Sequence, residues 1–115
     1  MSPTGATRLA AVIGDPVRHS LSPTLMNAAF GAAGLDWTYV ALEVASARLP
    51  DAFAGVRALG IAGLSITMPH KESAAACADQ LSPTAQRLGA VNCIVNHGGL
   101  LTGHNTDGEG FVRSL

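Results

Sequence analysis

The stretch Ser65-Ile66-Thr67-Met68-Pro69-His70-Lys71 decides how the chain reads. It begins as the end of a β-run over residues 61–67 and turns into a helix at Pro69. Proline suits a first helical position, because its fixed φ is already helical and its missing N–H would bond nothing there. Lys71 then falls in the first helical turn, where the helix dipole disfavours a positive charge. It is also the only lysine, the other basic residues being arginine. A lone lysine at that end of a helix, just beyond a strand, is a candidate for proton transfer. The plainer alternative is an exposed lysine with no role.

Working outward, residues 8–13 form an apolar run without alternation, as expected of a buried strand in a parallel sheet covered on both faces. Gly14-Asp15-Pro16 ends it. A loop follows, and then Ser22-Pro23 reads as a hydroxyl N-cap with proline at the first helical position. Leu25, Met26, Ala29, Phe30 and Ala33 continue at helical spacing to a stop at Gly34. Residues 37–44 carry Thr, Tyr and Val at strand density. Pro50 opens a second helix, with Leu49, Phe53, Val56 and Leu59 on one stripe and Gly60 closing it. The helix after Lys71 runs from Pro69 to Ala78, and Ser82-Pro83 starts another that Gly89 ends. Residues 90–96 and 100–104 make a hairpin about His97-Gly98-Gly99, and residues 109–115 look like the start of a further helix.

Strands alternating with helices predict an α/β fold: a three-layer sandwich with a mostly parallel sheet and an antiparallel hairpin near one edge. The 115 residues suffice for one domain, and a hydrophobic content of 48% excludes disorder. With 13% charged residues, a net charge of −1 and 4% aromatics, nothing marks a nucleic-acid or anionic-membrane surface. No apolar run has the length of a membrane span, and the first residues lack the pattern of a signal peptide, so a cytoplasmic location is expected. Cys77 and Cys93 have no CxxC spacing and read as reduced core residues. His19, His70, His97 and His104 match no metal signature; for His70, between Pro69 and Lys71, lining the site is one reading and a solvent-facing role the expected one.

In an open α/β sheet, ligands sit beyond the carboxyl ends of the strands. Ser20 and Ser22 follow the first strand, Thr67 and Lys71 the third, and Asn105 and Asp107 the last. The two serines, with free helix N–H groups, suit an anion such as a carboxylate, although Ser22 acting only as a cap is the simpler reading. Lys71 beside Asp107 would form a polar pair able to pass a proton to or from a substrate hydroxyl. Asn-Thr-Asp-Gly is equally good turn chemistry. Neither GxGxxG nor a P-loop is present, so this chain is not expected to hold a dinucleotide by itself.

Four motifs occur in order: residues 14–23 (GDPVRHSLSP), residues 65–71 (SITMPHK), residues 89–92 (GAVN) and residues 103–108 (GHNTDG). Together they resemble the substrate-binding, catalytic domain of the shikimate dehydrogenase family, over essentially the whole chain. The resemblance implies reversible reduction of 3-dehydroshikimate to shikimate with NADPH. It places Ser20 and Ser22 on the substrate carboxylate and Thr67, Asn92 and Asp107 on ring hydroxyls. Lys71 becomes the proton donor or acceptor, paired with Asp107. It also implies that residues 1–115 are the substrate half, ending in a connecting helix, with the NADP-binding Rossmann domain absent. Met26 stands where the family usually has His, and Ser65 where it usually has Asn. Both departures resemble broader quinate/shikimate dehydrogenases. A free-standing binding module for a hydroxylated ring carboxylate is the non-enzymatic alternative.

Overall fold

The computed structural model describes residues 2–106. Six strands form one sheet in the order β2-β1-β3-β5-β6-β4: β1 Arg8–Gly14, β2 Trp37–Glu43, β3 Gly63–Ile66, β4 Gln80–Leu81, β5 Cys93–His97 and β6 Leu100–His104. The pairings β1–β2, β1–β3 and β4–β6 are parallel, whereas β5 runs against both β3 and β6. The α/β sandwich read from the sequence is therefore the observed architecture. β4 is an addition: two residues are too few to carry a periodic signal, and they place the hairpin one strand in from the edge.

Side-chain alternation sorts the strands into two faces. Ala11, Ile13, Leu64, Ile66, Ile94 and Leu101 point to one side and are buried there with Leu49, Phe53 and Val56. These last three come from α2 (Leu49–Leu59), and α3 (Lys71–Cys77) and α4 (Pro83–Leu88) add Ala74 and Ala85. Ala10, Val12 and Tyr39 point the other way, against Phe30 of α1 (Ser22–Ala33). That second layer is thinner. α1 lies over the β1–β2 end, and beside it Gly63, Ser65, Cys93 and Val95 line a hollow of about 300 Å³.

Several boundaries differ from the sequence reading. α3 opens at Lys71, not Pro69, because Thr67 to His70 is spent on a turn in which the His70 N–H donates to the Thr67 carbonyl (3.0 Å). The Met68–Pro69 bond in that turn is cis, as is Asp15–Pro16. Ser22 does not cap α1: it is already the first helical residue and Leu21 holds the cap position. Of the expected α1 stripe only Phe30 is half-buried, while Leu25 and Met26 are exposed. Leu59 is 78% exposed despite falling in register with the α2 stripe, since α2 ends there at left-handed Gly60. Ser82 behaves as expected, its Oγ accepting the Ala85 N–H (3.2 Å), and Gly89 ends α4 at φ 64°. The expected helix over residues 109–115 lies outside the described residues. Among those described, no helix is long and apolar enough to cross a membrane.

Candidate functional site

β1, β3 and β6 end at the same edge of the sheet, and antiparallel β5 begins there. Backbone hydrogen bonds lace the segments leaving that edge. The Thr67 N–H donates to the Ile13 carbonyl (3.0 Å) and the Asp15 N–H to the Met68 carbonyl (3.2 Å). The Ile66 N–H donates to the Asn92 carbonyl (2.9 Å), and the Asn92 N–H to the His104 carbonyl (2.9 Å). The Val91 N–H reaches the Lys71 carbonyl (2.9 Å), tying the start of α3 to the approach of β5. Thr67, Lys71 and Asn92, distant in sequence, are thus gathered on one rim, each half-buried.

Glycine at position 14 is what lets that rim close. A Cβ there would lie 2.5 Å from Thr67 Cγ2 and 3.0 Å from the Met68 carbonyl oxygen. The close approach seats the Thr67 hydroxyl-bearing side chain directly over the end of β1. Asn92 is anchored as well as placed, its Oδ1 accepting both the Thr106 N–H (2.8 Å) and the Thr106 hydroxyl (3.0 Å). Asn105 turns inward and donates to the Ala90 carbonyl (3.2 Å). Asp107, the expected partner of Lys71, lies outside the described residues.

The serines arrive from the α1 side. After β1 the chain turns at buried Val17, whose N–H donates to Glu43 (3.2 Å) and whose carbonyl accepts the Ser20 N–H (3.0 Å). Ser20 Oγ then accepts the Ser22 N–H (3.1 Å). It is Ser20, not Ser22, whose side chain satisfies an N–H at the start of α1. Both residues are half-buried.

His70 corrects the sequence reading most sharply. It is fully buried, not solvent-facing, and its Nε2 meets the Val44 carbonyl (2.5 Å). A carbonyl only accepts, so Nε2 is the donor in this contact, and Nδ1 is buried with no hydrogen-bond partner among the described residues. The ring bolts the residue before Lys71 to the end of β2. Nothing in the sequence separates this buried histidine from an exposed one, because Val44 is 26 residues away. Also missed was the Tyr39–Ser65 pair. The Tyr39 hydroxyl donates to Ser65 Oγ (2.7 Å) across the open face of the sheet. Burial raises the Tyr39 phenol above its ordinary pKa, against the opposing pull of the Ser65 hydrogen bond.

Dinucleotide phosphates need a glycine-rich turn between a strand and a helix. The β1–α1 and β3–α3 connections carry proline instead, and among the described residues every positive-φ glycine ends a helix or turns the hairpin. The described residues thus offer no phosphate cradle for a dinucleotide. Among the described residues no cluster of His, Cys, Asp or Glu suits a metal ion either.

A mostly parallel α/β domain with threonine, lysine and asparagine on its carboxyl rim and two serines at an adjoining helix start has the layout of a small-molecule binding domain. The family model for the shikimate dehydrogenase substrate binding domain matches residues 12–94. The chain belongs to that family. It is 50% identical over 115 residues to a shikimate dehydrogenase (NADP(+)) of Geobacter metallireducens, spanning 100% of this chain and 40% of the relative. A shikimate dehydrogenase (NADP(+)) of Symbiobacterium thermophilum is 50% identical over 111 residues, 96% of this chain and 38% of the relative. Shikimate 5-dehydrogenase of Listeria monocytogenes, solved in complex with shikimate and NAD, superposes with a TM-score of 0.92 at 47% identity, covering 100% of this chain and 40% of that one. The chain therefore spans about two-fifths of the length of the relatives it matches.

Proposed function

We propose that this chain is the substrate-binding part of a cytoplasmic shikimate dehydrogenase, an NADP-dependent oxidoreductase interconverting 3-dehydroshikimate and shikimate. The observation that carries the reading is the gathering of Thr67, Lys71 and Asn92 on one rim of the sheet, beside the serine-bearing start of α1. Ser20 and Ser22 bind the ring carboxylate, and Thr67, Asn92 and Asp107 bind ring hydroxyls. Lys71 gives a proton to the carbonyl oxygen as it becomes a hydroxyl, and takes it back in reverse, with Asp107 as its partner. NADPH supplies the hydride when bound, NADP+ taking it back in reverse, and the described residues carry no glycine-rich strand-to-helix turn to hold its phosphates. What residues 1–115 contribute is orientation of the ring and a proton at Lys71 Nζ.

Titration of the 115-residue chain with shikimate, followed by NMR, tests this. Perturbation at Ser20, Thr67 and Asn92, lost in Lys71→Ala, supports the assignment; no perturbation near Ser20 and Lys71 sinks it. Shikimate with NADP added to this chain alone is expected to give no turnover, since nothing here positions a hydride acceptor. A wider specificity is favoured by one observation: Ser65, smaller than the usual asparagine, has its oxygen engaged by Tyr39. Quinate in place of shikimate in the same titration separates the two specificities.

A further inference from the structure

Helix α1 carries Ser22 and adjoins Ser20, yet none of its residues is buried. Its hold on the sheet comes partly from Phe30, whose ring lies 5.7 Å from that of Trp37 and 6.5 Å from that of Tyr39. The other hold is polar. Asn27 Nδ2 donates to the Tyr39 carbonyl (2.9 Å) and Asn27 Oδ1 accepts the Tyr39 N–H (2.8 Å).

Those backbone groups are available for a reason. β2 is an edge strand, and a strand offers its N–H and C=O to alternate sides at alternate residues. The Arg8 N–H donates to the Asp36 carbonyl and the Val44 N–H to the Gly14 carbonyl, which assigns the even-numbered residues here to β1. Tyr39 therefore faces the unpaired edge, and the Asn27 amide stands in for the missing strand at that residue. From Tyr39 the connection continues through its hydroxyl to Ser65 on β3. One chain of hydrogen bonds runs from α1 to the centre of the sheet.

We propose that Asn27 is a positioning residue: by clamping Tyr39 it fixes α1 on the sheet and so sets where Ser20 and Ser22 present their hydroxyls. The role in binding rests on the functional reading above; the clamp itself does not. Ser22 moves with the helix it begins, and because its N–H is held by Ser20 Oγ, its shift is felt at Ser20 as well. Asn27 is five residues beyond Ser22, about 7.5 Å along the axis, so a small pivot at the clamp displaces both hydroxyls.

The test uses the 15N-labelled 115-residue chain as wild type, Asn27→Ala, Ser22→Ala and the double variant. Amide exchange in α1 and at Tyr39 is compared with that at Leu64 and Ile66 of β3, and each protein is titrated with shikimate. Asn27→Ala is expected to speed exchange in α1 and at Tyr39 about tenfold while β3 changes less than about twofold. Shikimate affinity falls about tenfold, and Ser22→Ala weakens binding less in the Asn27→Ala background than in wild type. Unchanged α1 protection overturns the proposal, as does an equal loss across α1 and β3, or a loosened α1 with full affinity. If wild type itself ignores shikimate, the dehydrogenase reading fails, and the exchange pattern alone decides whether Asn27 fixes α1.

Discussion

At the scale of single residues, Gly14 matters for what it lacks. Thr67 reaches its place because no Cβ stands at position 14, where one would meet Thr67 Cγ2 at 2.5 Å. Gly14→Ala is expected to cost about 1–3 kcal/mol by overpacking and to push Thr67 off the rim. Denaturant unfolding reads the first effect, and the Thr67 amide shift in a shikimate titration reads the second. An alanine variant with wild-type stability and an unmoved Thr67 would contradict this. Some residue-level features were legible beforehand. Ser82, Pro83 and Gly89 announced α4 because a hydroxyl cap, a proline and a left-handed glycine act on neighbours within a turn. His70, Asn27 and Tyr39 were not legible, because their partners are 26, 12 and 26 residues away. No local pattern encodes such a pairing.

Elements show the same division between period and packing. The α2 stripe was correct at Leu49, Phe53 and Val56, all buried, and wrong at Leu59, which the helix end carries out of the core. Phe53→Ala should accordingly cost about 3–5 kcal/mol, whereas Leu59→Ala should stay within about 0.5 kcal/mol. Comparable losses in thermal or urea unfolding would overturn the assigned packing. Between elements, Arg57 of α2 pairs with Asp79 (3.0 Å), which also accepts the Leu101 N–H of β6 (2.8 Å). That backbone hydrogen bond, and then Arg57, lower the Asp79 pKa below the ordinary carboxylate value. The unfolded chain therefore takes up the proton first. The contribution of Asp79 is complete above about pH 4, near its unfolded value, and is lost as the pH falls through the lower folded value. Asp79→Asn should shrink the acid loss of stability in that window; an unchanged acid limb would count against the linkage.

For the whole molecule, fold class followed from the alternation of strands and helices, and the rim from the rule that such sheets bind ligands at their carboxyl edge. Strand order did not follow. Whether the 93–104 hairpin sits beside β3 or beyond β2 depends on which exposed edge it finds, and no residue pattern states that. Its actual place has a consequence for how the chain comes together. β1, β2 and β3 can pair as soon as residue 66 has formed, but the far side of β3 then waits for residues 93–97, and β4 waits for residues 102–103. During synthesis or refolding, Leu64 and Ile66 stand next to an unsatisfied strand edge until the hairpin inserts. A chain stopped at residue 81 should consequently form aggregates that light scattering detects, while the 115-residue chain at equal concentration stays dispersed. The late-arriving hairpin thus completes the sheet and also seals an adhesive seam.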